Sequence, residues 1–129
     1  MLIVKPIEDK AMQKEICEAC GAAFDIELLA CAAHVADDLV GVCQFEFSGD
    51  KAIIHDIRQK PGVDDFEAMY IMTRGALNFI DLCGFHFAEC TADAADVTLL
   101  RAAGFKEVAS GRFEIDLTDA FNAKCDHCK

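Results

Sequence analysis

Between Asp65 and Cys83 the apolar positions return with helical spacing, and Phe66, Met69, Tyr70, Thr73, Leu77 and Ile80 fall on one stripe. This predicts one long helix. Asp64 reads as its N-cap, Glu67 completes a capping box, and Gly84 ends it. A shorter helix is predicted over Glu8–Cys20, with Met12, Ile16 and Cys20 on one face and Gly21 just past its end. Elsewhere the pattern shifts to alternation or to short apolar runs. Leu2–Lys5 (stopped by Pro6), Leu28–Val35, Leu39–Phe47, Lys51–Arg58 and Phe85–Cys90 read as strands. Turn signals at Asp37-Asp38 and Ser48-Gly49-Asp50 join three of them into an antiparallel meander, with Gly41, Cys43, Phe45 and Phe47 on one face. A short helix at about Asp96–Ala103 and a last strand, with Phe113, Ile115 and Leu117 on one face and Glu114 and Asp116 on the other, close the pattern. The predicted order is β-α-β-β-β-α-β-α-β, a single α/β domain with a mixed, mostly antiparallel sheet flanked by helices. The domain is assigned to residues 1–121 and a tail to 122–129.

Charge narrows the partners. The chain has 129 residues and a formal net charge of −11, from 23 acidic against 12 basic side chains. Nucleic acids and anionic membranes both reward basic surfaces, so neither is expected as a partner. No segment approaches the run of about 18 apolar residues that a membrane helix needs. The N-terminus MLIVKPIEDK lacks the shape of a signal peptide. The expected location is cytoplasmic, where the 8 cysteines read mainly as reduced thiols that pack as small hydrophobes.

The segment Leu99-Leu100-Arg101-Ala102-Ala103-Gly104-Phe105, followed by the last strand, resembles the closing half of the Gcn5-related N-acetyltransferase (GNAT) fold. That family commonly ends a helix on leucine, tyrosine, two polar residues, glycine and phenylalanine. Leu99, Gly104 and Phe105 keep the frame, and Leu100 stands at the tyrosine position. The element order matches as well, with one helix fewer near the N-terminus. The resemblance implies an acetyl-CoA-dependent N-acyltransferase acting on a small-molecule or amine acceptor, and pairing of two copies through sheet edges.

It also implies a place for the cofactor. In the family, a loop of arginine or glutamine, two residues, glycine, one residue and a small residue opens the long helix, whose backbone N–H groups hold the pyrophosphate. The equivalent region here is Arg58–Met69, so Ile57, Gln59, Lys60, Gly62, Val63, Asp64, Asp65 and Phe66 are the candidate cofactor residues. With Gln59 as the first polar residue and Gly62 as the glycine, Asp64 occupies the small position. Aligned on the helix start instead, the family's glycines fall on 64–67. Asp64, Asp65 and Glu67 put three carboxylates on the first turn. They suit the helix dipole at about 0.3–1 kcal/mol each, and they repel a pyrophosphate. A self-capped structural helix and an unusual CoA loop both remain open on the sequence.

For the family's general base, His55 on the predicted fourth strand and Glu46 on its neighbour are the candidates, with His55 and Asp56 expected on opposite faces. Leu100 cannot donate a proton. Tyr70, the only tyrosine, lies on the apolar stripe and reads as core. Asp93, where the family often has asparagine, reads as a turn or cap residue. Two CxxC pairs stand apart from this scheme. Cys17 and Cys20 read as helix core, whereas Cys125, His127 and Cys128 in the polar tail offer ligands for zinc or a redox pair. The sequence supports three functions: an acyltransferase with an altered cofactor loop, a non-catalytic ligand-binding or interaction module on the same fold, and a metal- or redox-responsive protein using the terminal CxxC.

Overall fold

The meander forms as the turn signals predict. In the computed structural model, which describes residues 1–118, β2 (Leu29–Val35), β3 (Asp38–Ser48) and β4 (Lys51–Gln59) pair antiparallel in sequence. β1 (Leu2–Pro6) adds to the free side of β2. After α2 (Phe66–Leu82), β5 (Phe87–Thr91) lies parallel to β4, the one parallel contact among the described strands, which needs the helical crossover that α2 supplies. α3 (Val97–Ala103) comes next, then β6 (Lys106–Ala109) and β7 (Arg112–Asp116). The sheet order is β1-β2-β3-β4-β5-β7-β6.

β6 is absent from the periodicity of the sequence. All of its residues are exposed, and it lies at the sheet edge against β7. An edge strand with no buried face shows no alternation, so only the Ser110-Gly111 turn (Gly111 φ 74°) hints at the hairpin. β5 also starts later and ends later than the predicted Phe85–Cys90.

α2 covers one face of the sheet and α1 (Lys10–Cys20) covers part of the other. α2 buries Met69, Met72, Thr73, Ala76, Leu77 and Ile80 over Phe45, Ile54, Phe113 and their neighbours. Gly41 allows this contact. A Cβ there would lie 2.4 Å from the Met69 sulfur and 2.8 Å from the Arg58 carbonyl oxygen. α1 is capped by Asp9, whose carboxylate accepts from the Ala11 and Met12 N–H groups. Its buried residues are Gln13, Ile16, Cys17 and Cys20. Met12, expected on the inner face, is 52% exposed, and a glutamine takes the inner position instead. α3 ends at Gly104 with φ 113°, a conformation open to glycine at little cost, which explains the glycine of the LLRAAGF segment.

Besides one in the edge hairpin, between Glu107 and Ala109 of β6, two register shifts interrupt the ladders. One lies between Ala33 and His34 in the β2–β3 ladder. The other is in β4, where Gln44 pairs with Asp56 and Phe45 with Ile54, leaving His55 without a ladder partner.

Candidate functional site at the fork between β4 and β5

β4 and β5 touch over three pairs only, Ala52↔Ala88, Ile53↔Glu89 and Ile54↔Cys90. The bulge at His55 then bends β4 away, and β4 runs on to Gln59 while β5 stops at Thr91. The two strands open a fork. The segment after β5 turns into it. The Thr91 hydroxyl donates to the Asp93 carboxylate at 2.6 Å, and Ala94 N–H donates to the Thr91 carbonyl at 3.1 Å. From that turn, the Ala94 carbonyl accepts the Ile57 N–H at 2.9 Å, and the Asp93 carbonyl accepts from the Arg58 guanidinium at 3.1 Å. Ala94 and Ala95 are buried. The chain thus fills its own fork, and the β4 N–H that faces it is already bonded.

On the side of the sheet that carries α1, His55 Nε2 contacts the Glu46 carboxylate, so the structure brings the two candidate bases together. Both are more than a third exposed. The expectation that His55 and Asp56 face opposite ways fails. Gln44 and Glu46 lie two apart on β3, and Asp56 and His55 reach them respectively, because the bulge breaks the alternation. Asp56 is the site residue that sequence patterning passes over. Gln44 Nε2 donates to both of its oxygens at 3.1 and 3.2 Å and to the Ala23 carbonyl at 2.8 Å. Gln44 accepts in turn from Gln13 Nε2 at 3.0 Å, and Lys10 donates to Gln13. Burial pushes the Asp56 carboxyl up from its ordinary range, against the pull of the Gln44 hydrogen bond and of Arg58 and His55. This chain of hydrogen bonds joins α1 to β3 and β4, and among the described residues no buried side-chain polar atom lacks a partner.

Beyond the fork on the same side, a hollow of about 330 Å³ lies over β4, β5 and β7. Its charges are mutually engaged. Lys51 pairs with Glu89 at 2.9 Å, and Arg112 pairs with Glu114 at 2.6 Å.

No family model and no curated protein matches the sequence. Solved structures do match. A variant of the spermidine N-acetyltransferase from Vibrio cholerae superposes with a TM-score of 0.72 at 13% identity, covering 95% of this chain and 98% of that one. An IAA acetyltransferase from Bacillus cereus gives 0.69 at 14% identity, covering 91% and 100%. A GNAT family acetyltransferase from Brucella melitensis in complex with acetyl-CoA gives 0.66 at 13%, covering 90% and 88%. The fold is that of the GNAT acyltransferases. What those proteins bind and acylate remains theirs at such identity.

The loop before α2, where the resemblance places the cofactor, makes several hydrogen bonds of its own. Asp65, one residue later than predicted, is the N-cap of α2, and its side chain accepts the Ala68 N–H at 3.0 Å. Gln59 Oε1 accepts the Asp65 N–H at 3.1 Å. Lys60 N–H goes to the Val40 carbonyl, Val63 N–H closes a turn onto Lys60, and Gly62 sits at φ 87°. Side chains and backbone of the loop itself thus engage the N–H groups of Val63, Asp65 and Ala68. A cavity of about 140 Å³ remains among Ile57, Gln59, Asp64, Phe66, Asp96 and Leu99. It is smaller than the roughly 300–1,000 Å³ usual for cofactor-sized ligands, and its charged groups are carboxylates. A pyrophosphate at this helix end faces Asp64, Asp65 and Glu67, at on the order of 1–4 kcal/mol per like-charged pair near a surface.

The remaining candidates take structural places. Leu100, at the family's tyrosine position, is fully buried in the core, and Tyr70 packs against that core. Burial pushes the Cys90 thiol up to about 12 and the Cys17 and Cys20 thiols to about 11, so all three stay protonated and unreactive at neutral pH. Among the described residues no His, Cys, Asp and Glu group could hold a metal. The zinc or redox assignment of Cys125, His127 and Cys128 falls outside the described residues. No described helix is long and apolar enough to cross a membrane.

Proposed function

We propose that this chain is a GNAT-fold protein that has given up acyl transfer from CoA and works as a ligand-binding or interaction module. The observation that carries this reading is the Ile57 N–H bonded to the Ala94 carbonyl inside the β4–β5 fork. An acyl arm running from the α2 N-terminus towards His55 and Glu46 has to pass along β4 at that point. The acidic first turn and the leucine at the tyrosine position work in the same direction. Calorimetric titration with acetyl-CoA at low and moderate salt, with amide exchange read at Ile57, tests it. The expected result is no saturable heat and an Ile57 amide whose protection is unchanged by the cofactor. Binding at micromolar affinity or tighter overturns the reading.

A second reading, acyl transfer through an altered cofactor loop, draws support from the His55–Glu46 contact, which sets an imidazole beside a carboxylate, two groups able to act as a general base. Under it, His55→Ala lowers the acyl-transfer rate by about 10²–10⁴-fold. Native turnover in that variant passes the role to Glu46 or to a bound water.

A further inference from the structure

Asp56 is the one carboxylate among the buried polar residues described, 7% exposed between α1 and the sheet. Its cover is thin. Ala23, in the connection from α1 to β2 (residues 21–28), is exposed on its outer side. Its carbonyl accepts from Gln44 Nε2 at 2.8 Å, and the same Nε2 donates to the Asp56 oxygens at 3.1 and 3.2 Å. One residue and one amide group therefore stand between the carboxylate and solvent. The connection starts at Gly21, with φ 73°, and its far end is held by Gln13 Nε2, which donates to the Leu28 carbonyl at 3.2 Å. Between these ends its hydrogen bonds are local. The Asp25 carboxylate accepts the Glu27 N–H, and the Asp25 carbonyl accepts the Leu28 N–H. Ala22 and Phe24 pack against the cluster beneath α1, whereas Ala23, Asp25, Ile26 and Glu27 are exposed.

The surroundings of Asp56 differ from side to side. On β4, Arg58 and His55 favour its ionised form. From α1, β3 and β5 it meets Cys17, Cys20, Cys43 and Cys90, thiols held protonated mainly by burial, with Lys60 near Cys20. Lys10 stands two amides away, beyond Gln13 and Gln44. Among the described residues, the hydrogen bonds to the carboxylate come from Gln44, through its side chain and its backbone N–H. The two hydrogens of Gln44 Nε2 are divided between Asp56 and Ala23. Water at an opened cover supplies further donors to a charged carboxylate. Burial pushes the Asp56 carboxyl up despite Gln44, Arg58 and His55, so the closed arrangement favours the proton and a hydrated one favours the charge. We infer that residues 21–28 form a pH-sensitive flap, held closed on Gln44 when Asp56 is protonated and driven to open at Ala23 as Asp56 ionises. Gln44 and Glu46 lie two apart on β3, about 7 Å, so the flap borders the His55–Glu46 pair. The flap is independent of whether CoA binds, and it goes beyond both readings of function.

The test compares the full native chain with Asp56→Asn, a neutral side chain of the same shape, by NMR across the titration of Asp56. The Asp56 carboxyl carbon signal marks that titration. Exchange of the Ala22 and Leu28 amides, taken as the ratio of native to variant, marks the flap and cancels the intrinsic pH dependence of exchange. The expected result is a ratio that rises as Asp56 ionises, by up to about tenfold per pH unit. The Leu77 and Ile80 amides of α2 stay protected under the same conditions, which makes the opening local. A flat ratio while Asp56 titrates overturns the inference. So does an equal change in Asp56→Asn, which assigns the effect to the flap's own Asp25 and Glu27, and so does exchange of the α2 amides at the same rate, which makes the opening global. Should the variant fail to fold, the native chain decides. Amide shifts of residues 21–28 that share the midpoint of the Asp56 carboxyl signal support the flap, and a different midpoint overturns it.

Discussion

Leu77→Asp unfolds this protein. Leu77 is fully buried on the inner face of α2, within the core that joins α2 to β3, β4, β5 and β7. Removing a buried leucine costs about 2–5 kcal/mol by itself, through lost transfer energy and the cavity left behind. The aspartate adds a carboxylate with no partner in apolar surroundings, at several kcal/mol more, or else it protonates at comparable expense. Domains of this size are stable by about 5–15 kcal/mol, so the sum removes most or all of the margin. Circular dichroism reads the outcome as lost helix signal and a missing thermal transition. A cooperative melt at the native temperature would take α2 out of the core and undo the fold assignment.

Gln44→Ala is the second large effect, and it depends on pH. Gln44 supplies both hydrogen bonds to the buried Asp56 carboxylate. Its loss removes the side-chain donor from that charge and leaves only the backbone N–H of residue 44, at about 2–4 kcal/mol near neutral pH. The sign comes from burial. Asp56 is raised in the folded state above its ordinary value, so whatever stability it contributes is present below the unfolded carboxyl value and is lost as pH rises through the folded one. Asp56→Asn removes this dependence. The native chain therefore gains on the Asn variant as pH falls, and the Gln44→Ala chain recovers more than either when Asp56 protonates. Urea unfolding at pH 5 and pH 7 of the two single variants and the double variant measures the coupling. A Gln44→Ala defect of equal size at both pH values, or additive variants, would separate Gln44 from Asp56.

Much of the architecture is legible in the sequence because it rests on local periodicity. The stripe from Phe66 to Ile80 marks α2, and Gly104-Phe105 after an apolar turn of helix marks the closing half of the fold. The cofactor loop is legible in part. Three carboxylates on the first turn of α2 are visible as residues, and a helix end that caps itself with Asp65 and Gln59 is their structural expression. The cap lies one residue beyond the expected Asp64 because Asp64 and Asp65 are chemically alike, and only the backbone geometry chooses between them. β6 is not legible because nothing on it is buried.

The site divides along the same line. The sequence by itself determined that the chain is acidic, that it builds an α/β domain of GNAT order, and that Leu100 cannot serve as an acid, because each depends on residue identity or short-range spacing. Only the tertiary structure decided which groups meet. A one-residue bulge at His55 turns Asp56 towards Gln44 and His55 towards Glu46, and no period in the sequence encodes a single inserted residue. Gln13, Gln44 and Asp56 are polar residues buried where α1 meets the sheet, a place set by the packing of α1. The closure of the fork is made by a backbone carbonyl of Ala94 and a backbone N–H of Ile57, groups that every such residue carries, so their pairing between distant parts of the chain is fixed by the bend of β4 and leaves no mark in the residue types.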